Sequence, residues 1–233
     1  VTPRPGILAG RAAIGNDRPW QGGAPPAVLY SYAPGRSAGH AVALLNGFTG
    51  VLQTDGYAAY HSLADPKRAG GPVSLAHCWS HCRREFFDIA KNAPAPIAIE
   101  ALKRIAEFYA IEAEIHGRST DERRAVRQQK TKPLVEALQA WLEKTLAQVP
   151  RGSTIAKAIR YALNQWDGLV RFIDDGRIEI DSNTVERAMR PIALTRKNAL
   201  FAGSDEGVEN WAMLASLIET CKLHRVNPQA YFT

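Results

Sequence analysis

Cysteine is scarce in this chain. Only Cys78, Cys82 and Cys221 occur, an odd number without framework spacing, which excludes a disulfide-built scaffold and points to a reducing compartment. No run of about eighteen apolar residues exists, so a membrane-spanning helix is not expected. No basic-then-apolar leader opens the sequence, and neither internal repeats nor low-complexity tracts interrupt it. These absences predict a soluble, cytoplasmic protein with no membrane partner. Acids are outnumbered by bases, and the formal charge of +6 favours a polyanionic partner.

What is present is an ordinary globular composition, with 45% hydrophobic and 22% charged residues over 233 positions. That length supports one large domain or two small ones with a sizeable core. "PPAVLYSYAP" alternates as a half-buried strand does, and "GFTGVLQTD" predicts a second strand. From Ser74 the period becomes helical, with Trp79, Cys82, Phe86 and Ile89 on one face. Pro96 opens a long helix stopped by Gly117, Ser119 and Glu122 form a capping-box pattern, and Pro133 predicts a kink or break. A further helix starts near Thr154. The spacing then predicts a short strand "RIEI", a polar cap "DSN", a helix "TVERAMR" halted by Pro191, and a final long helix before "NPQAYF". The order predicts an α+β or α/β fold with a helical insertion.

Four places invite chemistry. Asp55 follows the apolar "VLQT" and precedes Gly56, a pattern that suits either an Asp-Gly turn or a carboxylate held at a strand tip. His77, Cys78, His81 and Cys82 are zinc-ligand types, but on a single helix two of them lie about 100° from the other two. In "EIDSNTVERAMRPIALTRKNALFAGS", Asp181, Asn183 and Glu186 fit helix capping. Their neighbours Arg187, Arg190, Arg196 and Lys197 also suit a site holding a metal and a phosphate. Arg123, Arg124, Arg127 and Lys130 predict either a solvated helix face or contacts to a nucleic-acid backbone.

"VLQTDGYAAY", "CWSHCRREFF" and "IEIDSNTVERAMRPIALTRKNALFAGS", in that order, resemble the insertion-sequence 66 transposases, bacterial DDE-type recombinases with an RNase H-like core. The similarity extends from about Asp17 to Phe232, through "RRAVRQQKTKPLVEAL" and "SLIETCKLHRVNPQAYF". It implies an α+β fold: an RNase H-like mixed sheet, its first strand missing, with a large α-helical insertion. The implied organisation is an N-terminal β part over 1–75, a mostly helical segment over 76–175, and a C-terminal core part over 176–233.

The resemblance places the family's second catalytic Asp on Asp55 and its catalytic Glu on Glu186, with Mg²⁺ or Mn²⁺ as cofactor. Ser182 stands where the family's D-N-N-x-x-E-R segment has its middle Asn. Cys78 and His81 match a C-x-x-H element of several DDE transposases, in a supporting role with Asp181, Asn183 and Arg187. The implied partners are DNA at transposon ends and target, further copies of the chain, and accessory transposition proteins. Binding to DNA would place the protein at the nucleoid.

The family's first catalytic Asp, in a motif like D-E-T-P-V, has no match, because no Asp precedes Asp17. A third metal ligand is therefore missing from the implied set, and the expectation is an incomplete or inactive copy. The rival expectations are a non-catalytic DNA-binding remnant and a zinc-stabilised interaction module on the His/Cys helix.

Overall fold

In the computed structural model, residues 26–35, 37–56, 58–92, 94–198 and 204–233 are described. Asp17 and the opening "VTPRPGILAG" lie outside them. The described residues form two compact units, one within 47–182 and the other combining those of 26–46 with those of 183–233.

The 47–182 unit is helical around a two-stranded parallel sheet, which makes it α+β. Strand β1 (Val51–Thr54) pairs with β2 (Ser74–His77) from Val51↔Ser74 to Thr54↔His77. The helical period at Ser74 is overturned: four residues extend into the sheet before α2 (Trp79–Ala90) begins. Sheet pairing with β1 outweighs the local pattern, and His77 ends a strand while Cys78 occupies the N-cap of α2.

Helix α2 buries Trp79, Cys82 and Phe86, one side of a regular helical repeat. Helix α3 (Pro96–Glu114) starts with proline in its first turn, where the missing N–H has no consequence, and Gly117 follows it at φ +78°. Ser119 caps α4 (Thr120–Val126) in a reciprocal box with Glu122. Of the kink or break expected at Pro133, the structure shows a break. A π-helical turn (Arg127–Thr131) carries the chain into α5 (Lys132–Gln148), so proline falls at a fresh helix start.

Helices α6 (Thr154–Asn164) and α7 (Trp166–Val170) complete the layer. At its centre the fully buried Trp79 ring meets Phe108 edge-on at 5.1 Å and Trp166 at 5.8 Å, and its indole N–H donates to the Leu169 carbonyl. The "RIEI" segment is not a strand. Ile178 and Ile180 are buried, but the alternation records one face against the core, with no neighbouring strand among the described residues to form a ladder.

The second unit holds α1 (Ala38–Leu44), α8 (Asn183–Asn198), α9 (Asp205–Leu223) and α10 (Pro228–Phe232). The expected first strand is corrected here as well. Val28 and Tyr30 are buried and Leu29 is exposed, yet the segment has no strand partner among the described residues. Its backbone N–H groups donate to hydroxyls of α9 instead, Val28 to Thr220 at 3.0 Å and Tyr30 to Ser216 at 2.8 Å. Pro191 does not halt α8, which continues to Asn198. Val185, Ala188, Met189 and the buried Ile192 pack around Ala212, and that burial holds the helix together across the lost hydrogen bond. No helix among the described residues is long and apolar enough to cross a membrane.

Candidate functional site at the sheet edge

Parallel pairing fixes where the two strands release their chains. One residue beyond the Thr54↔His77 pair stand Asp55 on one strand and Cys78 on the other. Asp55 is exposed. The Asp-Gly turn is real, since Gly56 adopts φ +86° and its N–H donates to the Thr54 hydroxyl. A side chain at Gly56 would also strike the Gln165 amide, 2.5 Å from where a Cβ would sit. The Tyr161 hydroxyl donates to the Asp55 carbonyl at 3.2 Å, and Gln165 Nε2 donates to the Gly56 carbonyl at 3.3 Å. Turn and carboxylate placement are thus one feature, and α6 pins it.

A third segment joins this edge. Trp79 N–H donates to the Ile180 carbonyl at 3.1 Å, and Ser182 N–H donates to Cys78 Sγ at 3.3 Å. Asp181 lies between these two tethers, partly buried and facing Tyr109. Cys78 Sγ and a His81 ring nitrogen lie within 4.8 Å of each other. Burial pushes the Cys78 thiol up, but hydrogen bonds from His81 and Ser182 outweigh it and hold the pKa below its ordinary 9.0. Burial raises the Tyr109 phenol, and the Asp181 carboxylate adds to the rise. Tyr161 is pushed up to about 12, first by burial and then by surrounding anionic groups that include Asp55.

The four-ligand zinc arrangement does not assemble in this unit. Cys82 is buried among core side chains, where burial drives its thiol pKa upward, and His77 turns its Nδ1–H to the Gln165 carbonyl at 3.2 Å. Gly168 leaves room for the His77 ring, because a Cβ there would overlap it.

Burial lowers the His77 pKa below its ordinary 6.5; His61 and Arg171 act in the same direction, against the Gln165 carbonyl and Asp55. The unfolded chain therefore takes up a proton first as the pH falls. His77 contributes stability that is complete above pH 6.5 and is lost as the pH drops through the lower folded-state value. Melting temperature measured against pH is expected to fall below about pH 6.5, with a shallower fall in His77→Gln.

Glu186, Asn183 and Arg187 belong to the other unit, in the first turns of α8, where Arg187 Nη2 donates to the Thr184 hydroxyl at 3.0 Å. Arg187 and Arg190 are exposed. The side chains of Arg196 and Lys197 lie outside the described residues.

The basic stretch requires a correction. Arg124 and Lys130 are exposed, with Lys130 paired to Glu114, but Arg123 and Arg127 are 2% and 0% exposed. Arg127 grips Glu112 with two bonds, 2.8 Å and 2.7 Å, and Arg123 reaches Glu179 at 2.7 Å. Guanidiniums enclosed by internal carboxylates do not face a phosphate. Sequence reading also missed Tyr109, Tyr161, Gln165 and Glu179 at this edge. Their partners are distant in sequence, and no local pattern reveals such pairings.

Comparison with known proteins places the chain. It is 46% identical over 218 residues to the uncharacterised protein y4jD of Sinorhizobium fredii (strain NBRC 101917 / NGR234), covering 93% of this chain and 43% of that protein. To y4qI of the same organism it is 44% identical over 216 residues, covering 91% and 40%, and to y4hP 40% identical over 228 residues, covering 93% and 41%. The chain thus spans about two fifths of the length of these relatives. No solved structure matches it. The family described as "Transposase IS66 family" matches residues 12–210, through both strands, the Cys78–His81 turn and the first turns of α8, and the chain belongs to that family.

Proposed function

We propose that the chain forms part of a DDE recombinase that cleaves and joins DNA strands during transposition of an insertion sequence. The observation that carries this reading is Asp55, an exposed carboxylate at the C-terminal end of a parallel strand in a transposase-family chain. Ligands gather at such strand ends because the chains diverge there and leave side chains and backbone dipoles open to a substrate. The two-stranded sheet is read as part of an RNase H-like core. The helices that follow are its insertion, within the three-segment division 1–75, 76–175 and 176–233.

The donor set fits the implied cofactor in part. Asp55 and Glu186 offer the hard carboxylate oxygens that Mg²⁺ or Mn²⁺ requires, with Asp181 in support, whereas Cys78 and His81 are softer donors better suited to a supporting role. Asp55 and Glu186 would hold the ion, which when bound supplies charge stabilisation for phosphoryl transfer. His81 and Ser182 orient Cys78 beside Asp181, and Tyr161 and Gln165 fix the backbone that carries Asp55.

A second reading for the chain by itself is a non-catalytic DNA-binding remnant. It is favoured by one observation, the exposed cations Arg124, Arg187 and Arg190, which DNA binding uses whether or not cleavage follows. Both readings take DNA as partner and place the protein in the cytoplasm, at the nucleoid when bound. Oligomers and accessory proteins belong to the transposition reading alone.

Both rest on sequence-independent binding to phosphates, for which Arg124, Lys130, Arg187 and Arg190 are the described candidates. Binding to duplex DNA is expected to weaken steeply with salt. Arg187→Ala with Arg190→Ala should flatten the slope of log K against log[salt] by about 2, close to one for each phosphate no longer neutralised. A double variant with the parent slope removes α8 from the interface, and salt-independent binding removes DNA as the partner.

A further inference from the structure

The stretch from Arg177 to Ser182 belongs to neither helix nor sheet, so its path depends on a few tethers. Gln53 Nε2 donates to the Glu179 carbonyl at 2.7 Å, Trp79 N–H to that of Ile180, and Ser182 N–H to Cys78 Sγ. The fourth tether is a side chain: Arg123 Nη1 to Glu179 Oε1 at 2.7 Å. Just upstream, Gly176 passes so close to the Thr120 carbonyl at the start of α4 that a Cβ would collide with it. Helix α4 thus holds the turn by its backbone and the stretch by Arg123.

Arg123 is itself held. Its Nη2 stands 3.5 Å from Glu112 Oε2, and the same carboxylate is gripped by Arg127, whose Nη1 donates to the Phe172 and Asp175 carbonyls. Arg123 Nε is buried without a hydrogen-bond partner among the described residues. A buried ion pair with an unmet donor is a poor source of net stability, because desolvation offsets much of the attraction; fixing register is its best-attested use.

We infer that Arg123 is a positioning residue, which through Glu179 fixes Ile180–Ser182 against Cys78 and Trp79 and so sets where Asp181 stands at the sheet edge. The importance of Asp181 rests on the functional reading above. The positioning itself does not, and Cys78 reports it, because the Ser182 backbone covers a sulfur in a residue only 2% exposed.

The test is alkylation of the native protein by a small thiol reagent, with each cysteine followed by mass spectrometry. Arg123→Met keeps the apolar stem and leaves Glu112 paired with Arg127. Glu179→Gln keeps the volume and leaves Arg123 beside Glu112, so it serves if the first variant does not fold. In both, Cys78 should react at least about tenfold faster while Cys82 and Cys221 keep their parent rates, the signature of local opening. Arg123→Lys should restore much of the protection.

Unchanged Cys78 protection in the folded variants overturns the inference. So does joint acceleration of all three cysteines, which reports general loosening. A reduced salt slope of DNA binding in Arg123→Met, with Cys78 still protected, would assign Arg123 to a phosphate instead. If no longer form of the protein cleaves DNA, the recombinase reading fails while the thiol result stands.

Discussion

A longer form of the protein that carries the family's upstream Asp-bearing strand is expected to lose Mg²⁺-dependent DNA cleavage and joining in Asp55→Ala and in Glu186→Ala. The loss should be at least about 10³-fold for each, equivalent to about 4 kcal/mol of transition-state stabilisation. The 233-residue chain assayed alone should stay at background. Asp55 and Glu186 supply two carboxylates, too few to hold two Mg²⁺ ions that each prefer six oxygens in near-octahedral geometry. Asp55 is exposed, so its removal should barely move the melting temperature, and loss of activity then reports chemistry. Robust nicking by the 233-residue chain that disappears on Asp55→Ala would show that another acid completes the set, with Asp17 the first to test. Full activity in Asp55→Ala would remove it from the site.

Arg127→Ala is expected to destabilise the 47–182 unit by about 3–5 kcal/mol, the usual consequence of leaving a buried charge without its partner. Arg127 is fully buried, closes two bonds on Glu112, donates to two backbone carbonyls and lies 5.1 Å from the Phe172 ring centroid. Without it, Arg123 at 3.5 Å is the one cation left beside Glu112 among the described residues. Each kcal/mol lowers the melting temperature of a domain this size by roughly 2–4 °C, so a fall of roughly 6–20 °C is expected by calorimetry. Arg124→Ala, three positions earlier on an exposed face, should stay within about 0.5 kcal/mol of the parent. Equal stability of the two variants would contradict the burial assigned to Arg127.

That contrast shows how far local sequence reaches. Arg123, Arg124 and Arg127 look alike in a basic run, and helical spacing separates the faces without saying which face meets protein. The answer depends on Glu112, 15 residues from Arg127, and on Glu179, 56 residues from Arg123. Proline gives the same lesson twice. Pro133 begins a helix because a π-helical turn precedes it, and Pro191 stays inside one because the buried side of α8 outweighs a missing bond.

The sequence by itself determined whatever depends on neighbours a few positions away. The Trp79–Cys82–Phe86 face, the Ser119–Glu122 box, the glycine stop at Gly117 and the positive φ of Gly56 are set by side-chain spacing and backbone sterics. The three ordered motifs carried the family. Only the tertiary structure decided that "AVLY" forms no ladder among the described residues and that "RIEI" is a turn followed by bends, since alternation reports that one face is buried and not what covers it. It likewise brought Asp55, Cys78 and Asp181 to one sheet edge. Parallel pairing aligns strand ends 23 residues apart, Thr54 with His77, and hydrogen bonds to Cys78 and Trp79 draw in a segment a hundred residues farther on.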